Sequence, residues 1–159
     1  MKATGVAGYV AAMAAMAGRD RPEGWHSDSP AAFLAEHGRS WRYTPGPLPE
    51  GVTWGRRGEC FRNAAMTLLE GGEARGWRYC EGYAHPGTGV PVWHAWLVTP
   101  AGEVIDPTWR PSLGTEREYF GVAFSAEWLW KTVRRTRRWG VLFDGSYPAM
   151  ESRPAEMVA

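Results

Sequence analysis

The stretch VWHAWLVTPAGEVIDP, running from Val92 to Pro107, decides the fold by the parity of its turn. Val92 to Thr99 is dense in β-branched and aromatic residues, the composition of a strand. Pro100-Ala101-Gly102 suits a three-residue hairpin loop in which Gly102 takes the left-handed position. Glu103 to Asp106 is the return strand, stopped by Pro107. Such a loop pairs Thr99 with Glu103, so the numbers of paired residues sum to 202. An even sum puts His94 and Asp106 on the same side of the ribbon. Asp106 then lies opposite Trp96 and diagonal to His94, about 7–8 Å away along the backbone, within reach of two side chains. A two-residue loop would make the sum odd and separate them.

Upstream of the hairpin, Trp77 to Ala84 alternates, with Trp77, Tyr79, Glu81 and Tyr83 on one face. Before that strand, Cys60 to Glu70 predicts a helix closed by Gly71-Gly72. Phe61, Ala64, Ala65, Leu68 and Leu69 form its buried stripe. Residues 43–58, rich in Pro and Gly, read as a loop leading into that helix. A shorter helix starts after Ser27-Asp28-Ser29, with Pro30 in its first turn and Gly38 at its stop. Downstream, a helix spans about Ser125 to Arg138, Val141 to Phe143 predicts a last strand, and the tail 148–159 reads as loose. The order of helices, antiparallel strands and helix predicts one α+β domain over 1–159. Its core spans about 27–145, preceded by a helical segment at 1–20.

The chain has 159 residues, with 18 basic and 17 acidic side chains. Near-neutrality argues against a general nucleic-acid binder. Leu, Val, Phe and Ile are scarce, and ten Trp, six Tyr and six Met replace them, which predicts a core built on aromatic packing. Two cysteines are too few for a disulfide scaffold, and no Cys/His spacing suits a metal. No apolar run is long enough to span a membrane. Residues 1–17 place Lys2 before an Ala/Gly/Met-rich stretch that only loosely resembles a secretion signal. A packed N-terminal helix and a cytoplasmic location are the main expectation, secretion the minor one.

Cys60, His94 and Asp106 are the chemically unusual trio. A thiol is a nucleophile as thiolate, a form favoured at a helix N-terminus and beside a histidinium. Cys60 falls at a predicted first helical turn, where backbone N–H groups could also receive an oxyanion. Asp106 would orient the imidazole, and His94 would relay the proton.

These residues carry a family resemblance. Gly58-Glu59-Cys60-Phe61 with Ala64 resembles the nucleophile segment of the transglutaminase-like branch of papain-fold cysteine enzymes. Arg75-Gly76 and Glu81-Gly82-Tyr83 resemble the strand that follows. His94-Ala95-Trp96, Gly102 and Ile105-Asp106-Pro107-Thr108 are similar to the histidine and aspartate segments, in the family's order. The resemblance covers about residues 54–109 and extends to short single-domain members from bacteria and their viruses. It implies a papain-like core with the nucleophile helix packed on an antiparallel sheet. It also implies a Cys-His-Asp triad that forms a thioester acyl-enzyme from an amide or ester, passed to water or an amine. The substrate class is then a peptide, a protein or a small acyl compound, with no cofactor. Glu59 departs from the Gln frequent before the family's cysteine, and a carboxylate there would oppose the thiolate unless it points away.

Further candidates surround the trio. Trp54, six residues before Cys60, could offer its indole N–H to an oxyanion. Trp96 could wall an acyl pocket, with core packing as the default for Trp93, Trp96 and Trp109 alike. His85, before a Gly/Pro loop, could touch substrate or simply be solvated. Cys80 reads as core, and His26 and His37 as surface. Lys131, Arg134, Arg135, Arg137 and Arg138 suit a helix C-terminus and a solvated face better than an acidic partner or nucleic acid. The alternative function is a catalytically inactive papain-like fold used as a protein-binding or inhibitor module.

Overall fold

A computed structural model describes residues 4–111, 116–143 and 147–159. The Lys2 of the signal-like segment lies outside them. Helices α1 (Gly5–Ala17) and α2 (Pro30–His37) lead into β1 (Arg39–Trp41), and after the long loop comes α3 (Cys60–Thr67). Strands β2 (Arg78–His85), β3 (Val92–Val98), β4 (Val104–Ile105) and β5 (Glu118–Phe124) follow. The chain ends in α4 (Ala126–Thr136), α5 (Pro148–Glu151) and α6 (Pro154–Met157). The architecture is mixed α+β, with five strands in the order β1-β5-β2-β3-β4 and every neighbouring pair antiparallel.

The hairpin has the expected register. Leu97 faces Ile105 and Val98 faces Val104, and the loop closes through Thr99 N–H to Glu103 O at 2.9 Å. Gly102 has φ +81°, the left-handed conformation the turn demands. Capping chemistry also follows the sequence. Ser29 Oγ accepts from Ala32 N–H at the start of α2, with Pro30 in the first turn, and Ser125 Oγ accepts from Trp128 N–H at the start of α4. Beyond Thr67 the helix widens into a π turn over Leu68–Gly72, with Gly71 at φ +141°, and a 3-10 turn over Glu73–Arg75 follows, so the helical run passes its expected end at Glu70.

The sheet separates two cores. On one face, α1, α2, α3 and the C-terminal helices cover Tyr79, Tyr83, Ala95, Leu97 and Phe124. The other face holds a smaller cluster around Trp41, Cys80, Trp96 and Tyr119. Aromatic contacts dominate both, among them Phe124 on Trp128 and Trp96 edge-on to Tyr119.

Three expectations need correction. β5, where the sequence predicts no strand, lies inside the sheet between β1 and β2. Its Gly121 is a close-approach position: a Cβ there would stand 2.3 Å from Glu81 O and 2.7 Å from the Trp96 ring. Val141 to Phe143 is not a strand. Val141 and Leu142 instead direct their N–H groups to the buried Glu81 carboxylate, at 2.6 and 2.8 Å. The tail is not loose either, because Met150 and Met157 are fully buried and Val158 bridges to Phe124.

Candidate active site

β3 is an open edge at His94, since β4 pairs only with Leu97 and Val98. His94 and Asp106 share the small-core face of the ribbon, as the turn parity requires. His94 Nε2 stands 2.7 Å from Asp106 Oδ2, and both residues are buried. Asp106 is held on every side. Its Oδ1 accepts from the N–H groups of Thr108 and Trp109 at 2.9 and 3.1 Å, and its Oδ2 also accepts from the Tyr119 hydroxyl at 2.8 Å. Trp109 stacks on the imidazole with ring centroids 3.8 Å apart, and Trp96 stacks more distantly at 6.3 Å.

The electrostatics follow from this cage. Burial alone would push the His94 pKa down. The charge of Asp106 and its hydrogen bond outweigh that, with a further contribution from Cys60, and the pKa rises to about 9. Burial would raise the Asp106 pKa, but His94, the Thr108 amide and the Tyr119 hydroxyl hold it below its ordinary value. The pair is therefore imidazolium and carboxylate at neutral pH.

Cys60 opens α3 and is a free thiol, 8% exposed. It lies close enough to the imidazole to raise its pKa by hydrogen bonding and by charge. With Nε2 committed to Asp106, Nδ1 is the ring nitrogen left for the thiol. Unlike α2 and α4, α3 has no side-chain cap: the residue before it is Glu59, which makes no capping bond. The amides of its first turn are donors without an intrahelical partner. The structure thus brings the three predicted residues together beside an uncapped helix N-terminus.

The remaining candidates divide. The Glu59 carboxylate lies between Arg56 and Arg62, 3.5 Å from each, and is not left to act on the thiol alone. Trp54 is half-buried and lines a cleft of about 280 Å³ together with Asp106 and Trp109. Gly55 N–H donates to Pro107 O at 2.8 Å, which fixes that segment beside the aspartate turn. Trp96 is not among the residues that line the cleft at Asp106. It is fully buried in the small core, and its indole N–H finds no acceptor among the described residues. His85 is engaged by its own loop, through Gly87 N–H and Gly89 O, each at 3.0 Å. Cys80 is fully buried, and burial pushes its thiol pKa far up.

Two contributors carry no signal in the local sequence. Tyr119 reaches Asp106 from β5, and Asn63 donates to both Arg56 O and Thr108 Oγ1, at 2.8 and 3.0 Å. A readable signal existed only for the aspartate turn, where Asp106-Pro107-Thr108 is a sequence in which Asp caps the backbone two residues on.

Comparison with known proteins gives no match to any family model, curated protein or solved structure. Among the described residues, no helix is long and apolar enough to cross a membrane.

Proposed function

We propose that this protein is a cysteine-dependent hydrolase or acyltransferase acting on an amide or ester bond, built on a papain-like, transglutaminase-like core. The observation that carries the reading is the buried 2.7 Å pair of His94 and Asp106 beside the thiol that opens α3. In the first step the Cys60 thiolate, whose proton is held on the His94 imidazolium, attacks the carbonyl, and the C–S bond forms as the carbonyl electrons move to oxygen. The first-turn amides of α3 receive that oxyanion, with the Trp54 indole as a further donor. Collapse of the intermediate expels the amine or alcohol, which takes the proton from His94. Water or an acceptor amine then gives its proton back to His94 as it attacks the thioester, and Cys60 is released. Asp106 keeps the ring oriented and balances its charge throughout.

p-Nitrophenyl acetate tests this directly. The expected result is a burst of p-nitrophenolate, with one acetyl group found on Cys60 by mass spectrometry, and loss of both in Cys60→Ala. The near-burial of the trio favours a second reading, an inactive protein-binding or inhibitor module. That reading predicts no burst and no adduct.

A further inference from the structure

Two segments far apart in sequence converge beside the first turn of α3. Glu59, Phe61 and Arg62 from that turn, and Arg137 to Gly140 after α4, line an open cleft of about 440 Å³. Among the described residues, Glu59 is the only carboxylate in this lining. It is already shared by Arg56 and Arg62, and it can neutralise one guanidinium. Arg138 is engaged by another interaction, so the excess positive charge rests on Arg62 and Arg137.

Both arginines stand where the backbone does not favour them. Arg62 is in the first turn of α3, where the helix dipole favours acidic residues and none is present. Arg137 adopts φ +60° at the end of α4, a left-handed conformation that favours glycine. The last turn of α4 already carries Arg134 and Arg135, so the helix dipole gives no reason for a further base. Phe61 and Trp139 add apolar surface to the same cleft.

We propose that this cleft seats a carboxylate carried by the acyl substrate, a few bonds from the carbonyl that Cys60 attacks. The inference rests on the cysteine-acylation reading and narrows its substrates to anionic amides or esters. Arginine is suited to the task, since its planar fork binds carboxylate through two parallel hydrogen bonds.

Two alkylating probes of equal shape separate the charge from the chemistry: the α-amides of N-iodoacetyl-glutamate and N-iodoacetyl-glutamine. Each forms an S–C bond at Cys60 and releases iodide, and the fully buried Cys80 serves as an internal reference. The glutamate probe should react about three- to fivefold faster than its neutral twin, the size expected of a partly exposed ion pair. Arg62→Gln together with Arg137→Gln should bring the ratio to that of a free model thiol, whereas Lys131→Gln, at a residue that lines a different cleft, should leave it unchanged. High salt should also suppress the preference, because the Debye length shrinks to about 3 Å at 1 M. A wild-type ratio no greater than that of the model thiol, or one unaltered in the double variant, overturns the anionic-substrate inference. The neutral probe reads the triad separately: slow labelling that is indifferent to His94→Ala would sink the catalytic reading whatever the ratio.

Discussion

Asn63 Nδ2 donates to Thr108 Oγ1 across 3.0 Å, a bond between residues 45 apart that ties the helix carrying Cys60 to the turn carrying Asp106. The same amide nitrogen also donates to Arg56 O at 2.8 Å, so one side chain joins three segments of the site. Nothing larger than glycine fits against it at position 55, where a Cβ would fall 2.1 Å from the Asn63 amide carbon.

Asn63→Ala should therefore lower stability by about 1–3 kcal/mol, the usual cost of leaving buried polar partners unpaired. It should also slow alkylation of Cys60, because α3 loses its tie to the aspartate turn. Gly55→Ala should destabilise by the same route. Chemical denaturation and labelling rates check both, and an Asn63→Ala protein with unchanged values would show that the tie does not position the thiol.

Tyr119→Phe removes one donor from Asp106 Oδ2 while keeping the ring in the small core. The carboxylate then concentrates its charge on His94, so the imidazole pKa should rise above about 9. Nitrogen chemical shifts of the His94 ring, followed against pH, report this. A fall in the pKa would contradict the cage.

Much of this was legible in the sequence, and the reason is local chemistry. The turn around Gly102 set the hairpin parity, and Ser29 and Ser125 marked two helix starts, because each signal lies within a few residues of its effect. β5 was not legible. Gly121 interrupts its strand pattern, and the reason for a glycine there, the approach of Glu81 O and the Trp96 ring, exists only once the strands are paired. Asn63 and Tyr119 likewise take their meaning from partners 45 and 13 residues away. The apolar triplet at 141–143 resembled a strand, but its amides answer to a carboxylate about 60 residues distant in β2.

The pH dependence of stability follows from three shifted groups. Asp106 has a depressed pKa, so its contribution is present above its unfolded value of about 4 and is lost as pH falls through the depressed one. His94 has a raised pKa. Its contribution is complete below about pH 6.5 and is lost as pH rises through about 9. Burial pushes Glu81 up to about 7, against the opposing bonds from Tyr79, Val141 and Leu142. Its contribution is complete below about pH 4.5 and fades as pH rises to 7. Tm should thus be highest near pH 5 and decline toward about pH 9. Glu81→Gln should flatten the acid half of that decline, and His94→Gln the alkaline half. A wild-type Tm that climbs steadily between pH 5 and 8 would contradict these assignments.

Asp106→Asn keeps the shape of the aspartate turn but offers His94 an amide, which favours the wrong tautomer. In serine triads the equivalent change costs about 10⁴ in turnover. Turnover of p-nitrophenyl acetate should fall steeply while the fold survives. Asp106→Ala should damage both, because it strands Tyr119 and the amides of Thr108 and Trp109 in a buried site. Undiminished turnover in Asp106→Asn would reduce this residue to a turn former.

Activation of Cys60 by His94 is read out by alkylation with iodoacetamide near neutral pH. Intact mass is followed over time for wild type and His94→Ala, with circular dichroism confirming that both are folded. The expected result is fast single labelling at Cys60 in the wild type, marked slowing in His94→Ala, and no labelling of the buried Cys80 in either. Equal rates in the two proteins, at the pace of an ordinary model thiol, would contradict it.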